Sequence, residues 1–256
     1  MSERVDFPTG VALVVGGSGG IGRAICVGLA EAGCDIVLTY RSNEDAAQEV
    51  AKQVSALGRN ASVVGLDLTD GEQVQRVVDS IIESHLGLHT VVYAAGPRIE
   101  MRFVSELDDK QWQQALAVDG HGFFSLVRAT LPHLRVSAGS IVAITSAGLA
   151  RYPARDVLSV GPKAAVTALV QAVAHEEGRY GVRANAIGLG VIEAGMFKRL
   201  AGEELDQRWL DTARGNIALK RFGHAGEVAD AVVYLASNRA SYVTGQTLWL
   251  DGGYHL

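Results

Sequence analysis

The sequence predicts an α/β fold: a doubly wound parallel sheet of seven strands with helices on both faces. Two observations indicate it. Short apolar, β-branched segments recur along the chain with longer amphipathic segments between them, and a glycine-rich turn follows the first of these segments. Nearly continuous apolar character is typical of strands that are buried on both faces, as in a parallel sheet covered by helices. A length of 256 residues suits one domain of this type, and we expect a single domain over residues 1–256.

Seven segments have the character of buried strands, and they occur at residues 11–15, 35–40, 61–66, 90–95, 140–145, 183–188 and 246–250. The segment after the second strand illustrates the helices. Ser42 or Asn43 can cap its start, and Gly58 can end it. Its apolar positions, at helical spacing, are Ala47, Val50, Val54 and Leu57. Two longer helices are expected over residues 120–136 and 157–179, and the alternation without internal repeats indicates a Rossmann-type fold.

Composition argues against several kinds of partner. The net charge is −5 and the 23 Lys and Arg residues are dispersed, so we expect no nucleic-acid surface. No apolar segment reaches the roughly 18 residues of a membrane span, so no membrane partner is expected. Cys26 and Cys34 lack metal-ligand spacing and are expected to be small buried residues in a reducing cytoplasm. The seven histidines form no ligand pair on one helix, so we expect no metal site.

The glycine-rich turn lies between the first strand and the first helix and reads GGSGGIGRAI over residues 16–25. Glycines allow the backbone to approach a pyrophosphate, and the N–H groups and dipole at the start of a helix stabilise its charge. The turn therefore predicts a dinucleotide site. The residues expected against the phosphates are Gly16, Ser18, Gly20, Ile21 and Gly22. The alternative is a tight turn that uses glycine for packing alone.

The end of the second strand indicates which dinucleotide is bound. A site for NAD usually has an acidic residue here for the ribose 2′-hydroxyl, whereas a 2′-phosphate calls for a cation and hydroxyls. The chain instead has Arg41 and Ser42 after Tyr40. Because a planar guanidinium suits a phosphate, the sequence predicts NADP(H), unless Arg41 is a solvated loop residue.

Several motifs in order make the chain resemble the short-chain dehydrogenase/reductase family. VVGGSGGIG resembles the glycine motif of that family, GLDLTD supplies Asp67 and Leu68, and YAAG at 93–96 resembles N-N-A-G. SIVAITSAG places Ser146 at the position of the substrate-orienting serine, and the segment from 221 to the D-G-G turn resembles the C-terminal part. The cofactor contacts that this resemblance implies are Asp67, Leu68, Ala94, Ala95, Gly96, Lys163, Gly190 and Ile192.

The resemblance implies a mechanism that this chain modifies. In the family, hydride passes between the nicotinamide and a carbonyl or conjugated alkene, a tyrosine protonates oxygen, and a lysine holds the ribose. Lys163 is present, seventeen residues after Ser146, but Ser159 stands at the tyrosine position and Asp119 at that of a supporting asparagine. The nicotinamide-side motif also departs from the family pattern, reading LGVIEA over 189–194.

Four residues could take over or support the proton transfer. Ser159 should lie on the same helix face as Lys163, either to bind a substrate oxygen or as a small polar filler. If the Asp119 carboxylate is buried, it needs a cationic partner, and Lys163 is the obvious one. The two residues could form a structural ion pair, or they could bind and deliver a proton together. Tyr152 could reach the site only if its loop folds back. Asp156 is expected to be a helix N-cap.

Relatives with similar departures suggest a substrate class. Dienoyl-CoA reductases are similar in these substitutions, and Arg151-Tyr152 resembles a pair in one branch of enoyl reductases. The resemblance implies a conjugated enoyl or dienoyl thioester as the small-molecule substrate, and a ketone processed by a modified proton relay is the other possibility. A donor that only stabilises enolate charge suffices there. The alternative is an NADP(H)-binding protein with little or no activity, a sensor or structural partner. The resemblance also implies a homotetramer.

Residues 190–216 follow the sixth strand at the edge where ligands of such folds bind, and they predict a substrate-binding lid. Glycines at 190, 195 and 202 offer hinges. The apolar residues that could line a channel are Met196, Phe197, Leu200, Leu205, Trp209 and Leu210. An ordinary helical core stripe is the alternative.

Overall fold

The computed structural model describes residues 6–96, 99–195, 197 and 207–256. Within them the seven strands form one parallel sheet of order β3-β2-β1-β4-β5-β6-β7. The strands are β1 (Val11–Val15), β2 (Asp35–Tyr40), β3 (Ala61–Gly65), β4 (Leu88–Tyr93), β5 (Ser140–Ser146), β6 (Arg183–Leu189) and β7 (Thr247–Leu250). The predicted fold class and strand number are confirmed.

Helices cover both faces of the sheet. In the described residues they are α1 (Gly20–Glu31), α2 (Glu44–Ala56), α3 (Gly71–Ser84), α4 (Asp109–Leu116), α5 (Gly122–Ser137), α6 (Val157–Glu177), α7 (Gln207–Gly215) and α8 (Ala225–Ala236). One apolar core joins the sheet to α3, α5 and α6, and another joins the opposite face to α1, α2 and α8. Asn43 caps α2, since its Oδ1 accepts a hydrogen bond from the N–H of Ala46 at 2.9 Å.

Two local expectations were wrong. The strand expected at 90–95 begins earlier, at Leu88, and the polar His89 that concealed its start is buried within it. The expectation that no segment is long and apolar enough to span a membrane also failed, because Val157–Tyr180 meets both criteria with a mean hydropathy of 1.5. The side chains that this helix presents to the sheet, including Val166 and Val170, are buried in the core. Such a composition is also that of a core helix.

Candidate active site

The carboxyl edge of the sheet gathers the predicted site residues. β1 ends at the glycine turn, β4 ends just before Ala94, and β5 ends at Ser146. Because the strands are parallel, these ends lie at one edge. The strand order reverses between β1 and β4: the strands that follow β1 in the chain, β2 and β3, extend to one side, and those from β4 onward extend to the other. This is the position where open α/β sheets bind ligands.

The glycine turn has a shape that side chains would fill. Gly16 has φ +82°, and a Cβ there would lie 2.9 Å from the carbonyl oxygen of Ala94. A Cβ on Gly22 would overlap the carbonyl oxygen of Gly16. The helix α1 follows with Gly19 as its N-cap, and no side chain accepts a hydrogen bond from its first turn. Free N–H groups at a helix start beside a glycine cradle fit a pyrophosphate.

Three of the four residues expected at the adenosine end are exposed. These are Arg41, Ser42 and Asp67, whereas Leu68 is buried. Asp67 Oδ1 accepts hydrogen bonds from the backbone N–H and the hydroxyl of Thr69, which lower the pKa of Asp67, and the charge of Arg41 lowers it further. Arg41 and Asp67 are therefore electrostatic neighbours, as two residues around one adenosine should be.

Lys163 and Asp119 form a buried ion pair. Lys163 Nζ donates to Asp119 Oδ1 at 3.1 Å and to the carbonyl oxygen of Ala95 at 3.0 Å. The side chain of Asp119 is 1% exposed and that of Lys163 10% exposed. The partner expected for a buried Asp119 is thus present. Since an ammonium has three donors, Lys163 retains one N–H beyond these two contacts.

Tyr93 supports the carboxylate from inside the sheet. Its hydroxyl donates to Asp119 Oδ1 at 2.7 Å and lies 3.2 Å from the carbonyl oxygen of Val118. The ring is fully buried, and Lys163 Nζ lies 4.8 Å from its centroid. Burial, followed by the Asp119 charge, raises the pKa of Tyr93 well above its usual value. The phenol therefore stays protonated and acts as a fixed donor to Asp119.

A wide, π-helical turn over Ala117–His121 places Asp119 at this point. It joins α4 to α5, whereas the sequence predicted an uninterrupted helix from residue 120. The turn directs the Asp119 side chain inward between β4 and α6, since Tyr93 and Lys163 contact the same oxygen. Single π-turns inside helices are frequent at functional sites.

Two serines lie near the start of α6. Ser146 Oγ accepts a hydrogen bond from the N–H of Gly148 at 3.0 Å, which leaves its own O–H free to donate. Ser159 is half-buried on α6, four residues before Lys163, and no other described residue pairs with its hydroxyl. Both hydroxyls are thus available to a substrate oxygen.

Tyr152 and Asp156 precede α6 in the chain. Tyr152 is 55% exposed and lies in the loop before α6, so its contact with the site stays a prediction. Asp156 occupies the N-cap position of α6, but its side chain makes no capping hydrogen bond. The predicted capping contact is therefore wrong. The backbone explains it: Asp156 has φ −111° and ψ 21°, whereas a capping side chain needs an extended backbone.

The structure describes part of the segment 190–216, which the sequence places on the nicotinamide side of the site. A Cβ on Gly190 would meet the backbone of Asp251 at 2.8 Å, so this glycine allows the loop after β6 to pack against the chain end. Ile192 is buried and bridges to Gly223. Of the predicted lid, Met196, Leu200, Gly202 and Leu205 lie outside the described residues, and Trp209 and Leu210 are half-buried on α7.

In the part of the chain that the structure describes, no three potential metal ligands form a cluster. Cys26 and Cys34 are buried, as expected, and burial raises the pKa of the Cys34 thiol to about 12. Neither thiol is therefore a ready nucleophile. Sequence reasoning missed two features of the site, the role of Tyr93 and the unpaired state of Asp156.

Comparisons with known proteins agree with the fold of the chain and show its family. The family model described as enoyl-(acyl carrier protein) reductase matches residues 15–255. The 3-oxoacyl-(acyl-carrier-protein) reductase FabG of Staphylococcus epidermidis is 29% identical over 246 residues, which cover 96% of this chain and 98% of that protein. The short chain dehydrogenase/reductase astE of Aspergillus oryzae is 32% identical, with 99% of this chain and 98% of that protein covered.

Solved structures are similar over nearly the whole chain. A complex of RhlG with NADP from Pseudomonas aeruginosa has a TM-score of 0.89 at 27% identity, with both chains covered to 100%. Carveol dehydrogenase from Mycobacterium avium, in complex with NAD, has a TM-score of 0.88 at 27% identity and covers 95% of this chain and 96% of its own.

Proposed function

Since this chain belongs to the short-chain dehydrogenase/reductase family, we propose that it is an NADPH-dependent reductase of acyl thioesters with a non-standard proton donor. The substrate group is a ketone or a conjugated alkene of the acyl chain. The observation that carries this proposal is the buried Lys163–Asp119 pair, held at the carboxyl edge of the sheet next to the glycine turn. A lysine retained in this position is what a nicotinamide ribose requires.

The glycine turn and the end of β2 are assigned to the cofactor. Gly16, Gly20 and Gly22 bring the backbone to the pyrophosphate, with Ser18 and Ile21 beside it, and the start of α1 stabilises its charge. Arg41 and Ser42 hold the 2′-phosphate, which is why we propose NADPH rather than NADH. The remaining contacts are assigned to Asp67, Leu68, Ala94, Ala95, Gly96, Gly190 and Ile192. The cofactor, when bound, supplies a hydride to a substrate carbon.

The side chains of the site handle charge on the substrate oxygen. Lys163 gives its third N–H to the ribose and keeps its other two contacts with Asp119 and Ala95. Ser146 and Ser159 donate hydrogen bonds to the oxygen, where negative charge develops as the hydride arrives. A serine hydroxyl is too weak an acid to complete the protonation. Asp119 and Lys163 stabilise the charge as a coupled pair, and Tyr152 is a candidate donor only if its turn closes over the substrate.

An acyl thioester is favoured by two of the comparisons, because the matched family model and the Staphylococcus relative both carry acyl-carrier-protein chemistry in their names. We further propose a cytoplasmic homotetramer. Exposed apolar side chains support association: Phe124 on α5 is 50% exposed, and Leu248 on the edge strand β7 is 41% exposed. Such positions are suited to contacts between copies of the chain.

The proposal is tested by incubating the purified protein with NADPH or NADH and a panel of 3-oxoacyl, 2-enoyl and 2,4-dienoyl thioesters, with simple ketones as controls. We expect nicotinamide absorbance to fall with at least one thioester, and faster with NADPH. Equal rates with NADH would contradict the cofactor assignment. Cofactor binding without oxidation by any substrate would contradict catalysis and favour a binding protein.

A further inference from the structure

Asp156 carries a carboxyl group that lacks the contact its position suggests. It stands directly before Val157, the first residue of α6, yet no capping hydrogen bond forms. No hydrogen bond or ion pair links its side chain to any other described residue. The residue is nevertheless half-buried. A partly buried carboxyl group without a partner is costly for a fold and needs an explanation.

The basic side chains nearest in the chain are all engaged elsewhere. The Arg151 guanidinium donates to the carbonyl oxygen of Tyr254 at 2.8 Å, and the Arg155 guanidinium lies 4.5 Å from the Phe103 ring centroid. Lys163 is paired with Asp119. The elements against the first turn of α6 add apolar atoms, because Val157 and Leu158 pack with Ile99, Leu107 and Ala115. Among the residues that the structure describes, no cation therefore compensates a charge on Asp156.

Helical spacing puts Asp156 on the face of α6 that the proposed site uses. Ser159 and Lys163 are four positions apart on α6 and lie on one side of the helix. Asp156 directly precedes the helix, and its carbonyl oxygen accepts a hydrogen bond from the N–H of Ser159 at 3.1 Å, so it stands at the start of that side. This side continues through the buried Val166 and Val170, which pack on the sheet. Since α6 follows β5 and runs back along it, its first turn lies at the carboxyl edge, where substrate is expected.

The loop after β5 brings Ser146 to the same turn. A Cβ on Gly148 would lie 2.6 Å from Val160, 3.0 Å from Pro153 and 3.1 Å from Ser146 Oγ. The glycine is thus enclosed between the serine, the loop and the first turn of α6. Ser146 therefore lies against the turn of helix that Asp156 begins.

We propose that Asp156 is the proton donor that replaces the phenol, delivering its proton to the substrate oxygen while Ser146 and Ser159 hold that oxygen. With a ketone, hydride adds to the carbonyl carbon and the π pair of the C=O bond moves to oxygen. With a conjugated thioester, hydride adds to the far carbon of the conjugated system, the C=C pair shifts toward the carbonyl carbon, and the π pair of the C=O bond moves to oxygen. The O–H bond of the Asp156 carboxylic acid breaks as its proton forms the new O–H bond, which yields an alcohol from the ketone and an enol from the thioester. The enol loses its O–H proton to solvent and takes a proton from solvent on carbon, and the Asp156 carboxylate also regains its proton from solvent. This inference rests on the proposed reductase activity.

The charge state of the group agrees with that role. Burial raises the pKa of Asp156 to about 7, and no charged neighbour contributes to the shift. A donor whose pKa lies near the working pH combines availability of the proton with a strong tendency to give it up. Asp119 is a poorer donor, since its carboxylate is committed to Tyr93 and Lys163 and is almost completely enclosed.

The test compares Asp156→Asn and Asp156→Glu with wild type, with Asp108→Asn as a matched control. Asp108 is also an N-cap aspartate, but its side chain does accept a capping bond, from the N–H of Gln111 at 2.8 Å. We expect wild-type reduction to slow as the pH rises through about 7. Asp156→Asn should lower kcat about 10²–10⁴-fold and remove the pH dependence of the rate near pH 7. Asp156→Glu should restore part of kcat and part of the pH dependence. Asp108→Asn should leave both quantities at their wild-type values.

A second readout needs no activity. Because the folded-state pKa of Asp156 is raised, wild type loses stability as pH rises from about 4 to about 7, where the unfolded chain has released the proton and the folded chain has not. Asp156→Asn should therefore be more stable than wild type at pH 8, by a margin that grows across that range and then levels off.

The outcomes are separable. Three results with an active wild type would overturn the proton-donor role alone. The Asp156→Asn variant could keep wild-type activity, it could lose activity without gaining stability at pH 8, or it could fail to fold. If the wild-type protein fails to oxidise NADPH with every substrate tested, the proposed function is overturned, and the role of Asp156 with it.

Discussion

The carboxylate of Asp119 receives two donors on one oxygen, the hydroxyl of Tyr93 at 2.7 Å and the ammonium of Lys163 at 3.1 Å. Each contact restricts the other. The hydroxyl favours the orientation in which Asp119 Oδ1 faces Lys163, and Lys163 also donates to the carbonyl oxygen of Ala95 after β4. Under the proposed function, Tyr93 is a positioning residue that acts on the cofactor through Asp119 and Lys163 rather than by contact.

Removing the Tyr93 hydroxyl should weaken the hold on the Asp119 carboxylate and, through it, the position of Lys163. We expect Tyr93→Phe to lower kcat/KM about tenfold or more, in line with a lost hydrogen bond to a charged group. In an Asp119→Asn background the same change should have little further effect, because the charge that the hydroxyl stabilises is gone. Steady-state kinetics of the four proteins measure this coupling.

Thr130→Val is the control for this cycle, since Thr130 is a buried hydroxyl on α5 that bonds only to backbone carbonyls of its own helix. It should cost stability and leave kcat/KM close to wild type. Equal losses from Tyr93→Phe in both Asp119 backgrounds would show that Tyr93 merely fills the core.

How far single residues could be predicted depended on how local their contacts are. The pairing of Asp119 with Lys163 was expected, because a buried carboxylate needs a cation and Lys163 is the one the helix pattern supplies. Tyr93 was recognised only as a departure from a motif, since its contact to Asp119 crosses 26 positions and depends on a π-turn with no sequence signal. The cap assigned to Asp156 failed because residue type does not determine φ and ψ.

At the scale of elements, the glycine turn after β1 combines backbone strain with close approach. Gly16 and Gly58 make a useful pair, because both have positive φ, at +82° and +75°. Only Gly16 is crowded: its Cβ would meet Ala94 and Ala95, whereas nothing lies within 4 Å of a Cβ on Gly58. The two glycines separate the cost of backbone conformation from the cost of filling the proposed phosphate cradle.

We expect Gly16→Ala to lower NADPH affinity at least tenfold and to reduce the free energy of unfolding by about 1–3 kcal/mol, since the added methyl group displaces the end of β4. Gly58→Ala should cost about 1 kcal/mol through its backbone alone and leave NADPH affinity unchanged. Cofactor fluorescence titration and chemical denaturation measure the two quantities. Equal NADPH affinity in both variants would mean that the turn serves packing rather than phosphate binding.

Element positions followed from the apolar pattern wherever burial was continuous. β1 was predicted at its observed bounds, and six of the strand predictions match to within a residue or so. The exception is β4, where a polar His89 inside the strand interrupts the pattern. The π-turn before α5 could not be predicted from helical spacing in the sequence. It shifts the hydrogen-bond register of the helix by one residue, and no particular residue type marks it.

At the scale of the whole molecule, the sheet order brings together residues that are far apart in the chain. Pairing of β4 with β1 places Ala94 and Ala95 beside Gly16, and pairing of β4 with β5 brings the end of β5, at Ser146, to the same edge of the sheet. Alternation of strands and helices predicted a parallel sheet. The pairing order itself rests on contacts over long separations, which the residues alone do not specify.

The proposed function requires that Lys163, anchored by Asp119, hold the nicotinamide ribose in a working reductase. A crystal structure with NADP+ bound tests it most directly. We predict that the pyrophosphate lies on the Gly16–Gly22 turn, and that Lys163 Nζ contacts a ribose hydroxyl while keeping its contact with Asp119. A cofactor bound elsewhere, or Lys163 turned away from the ribose, would contradict the account.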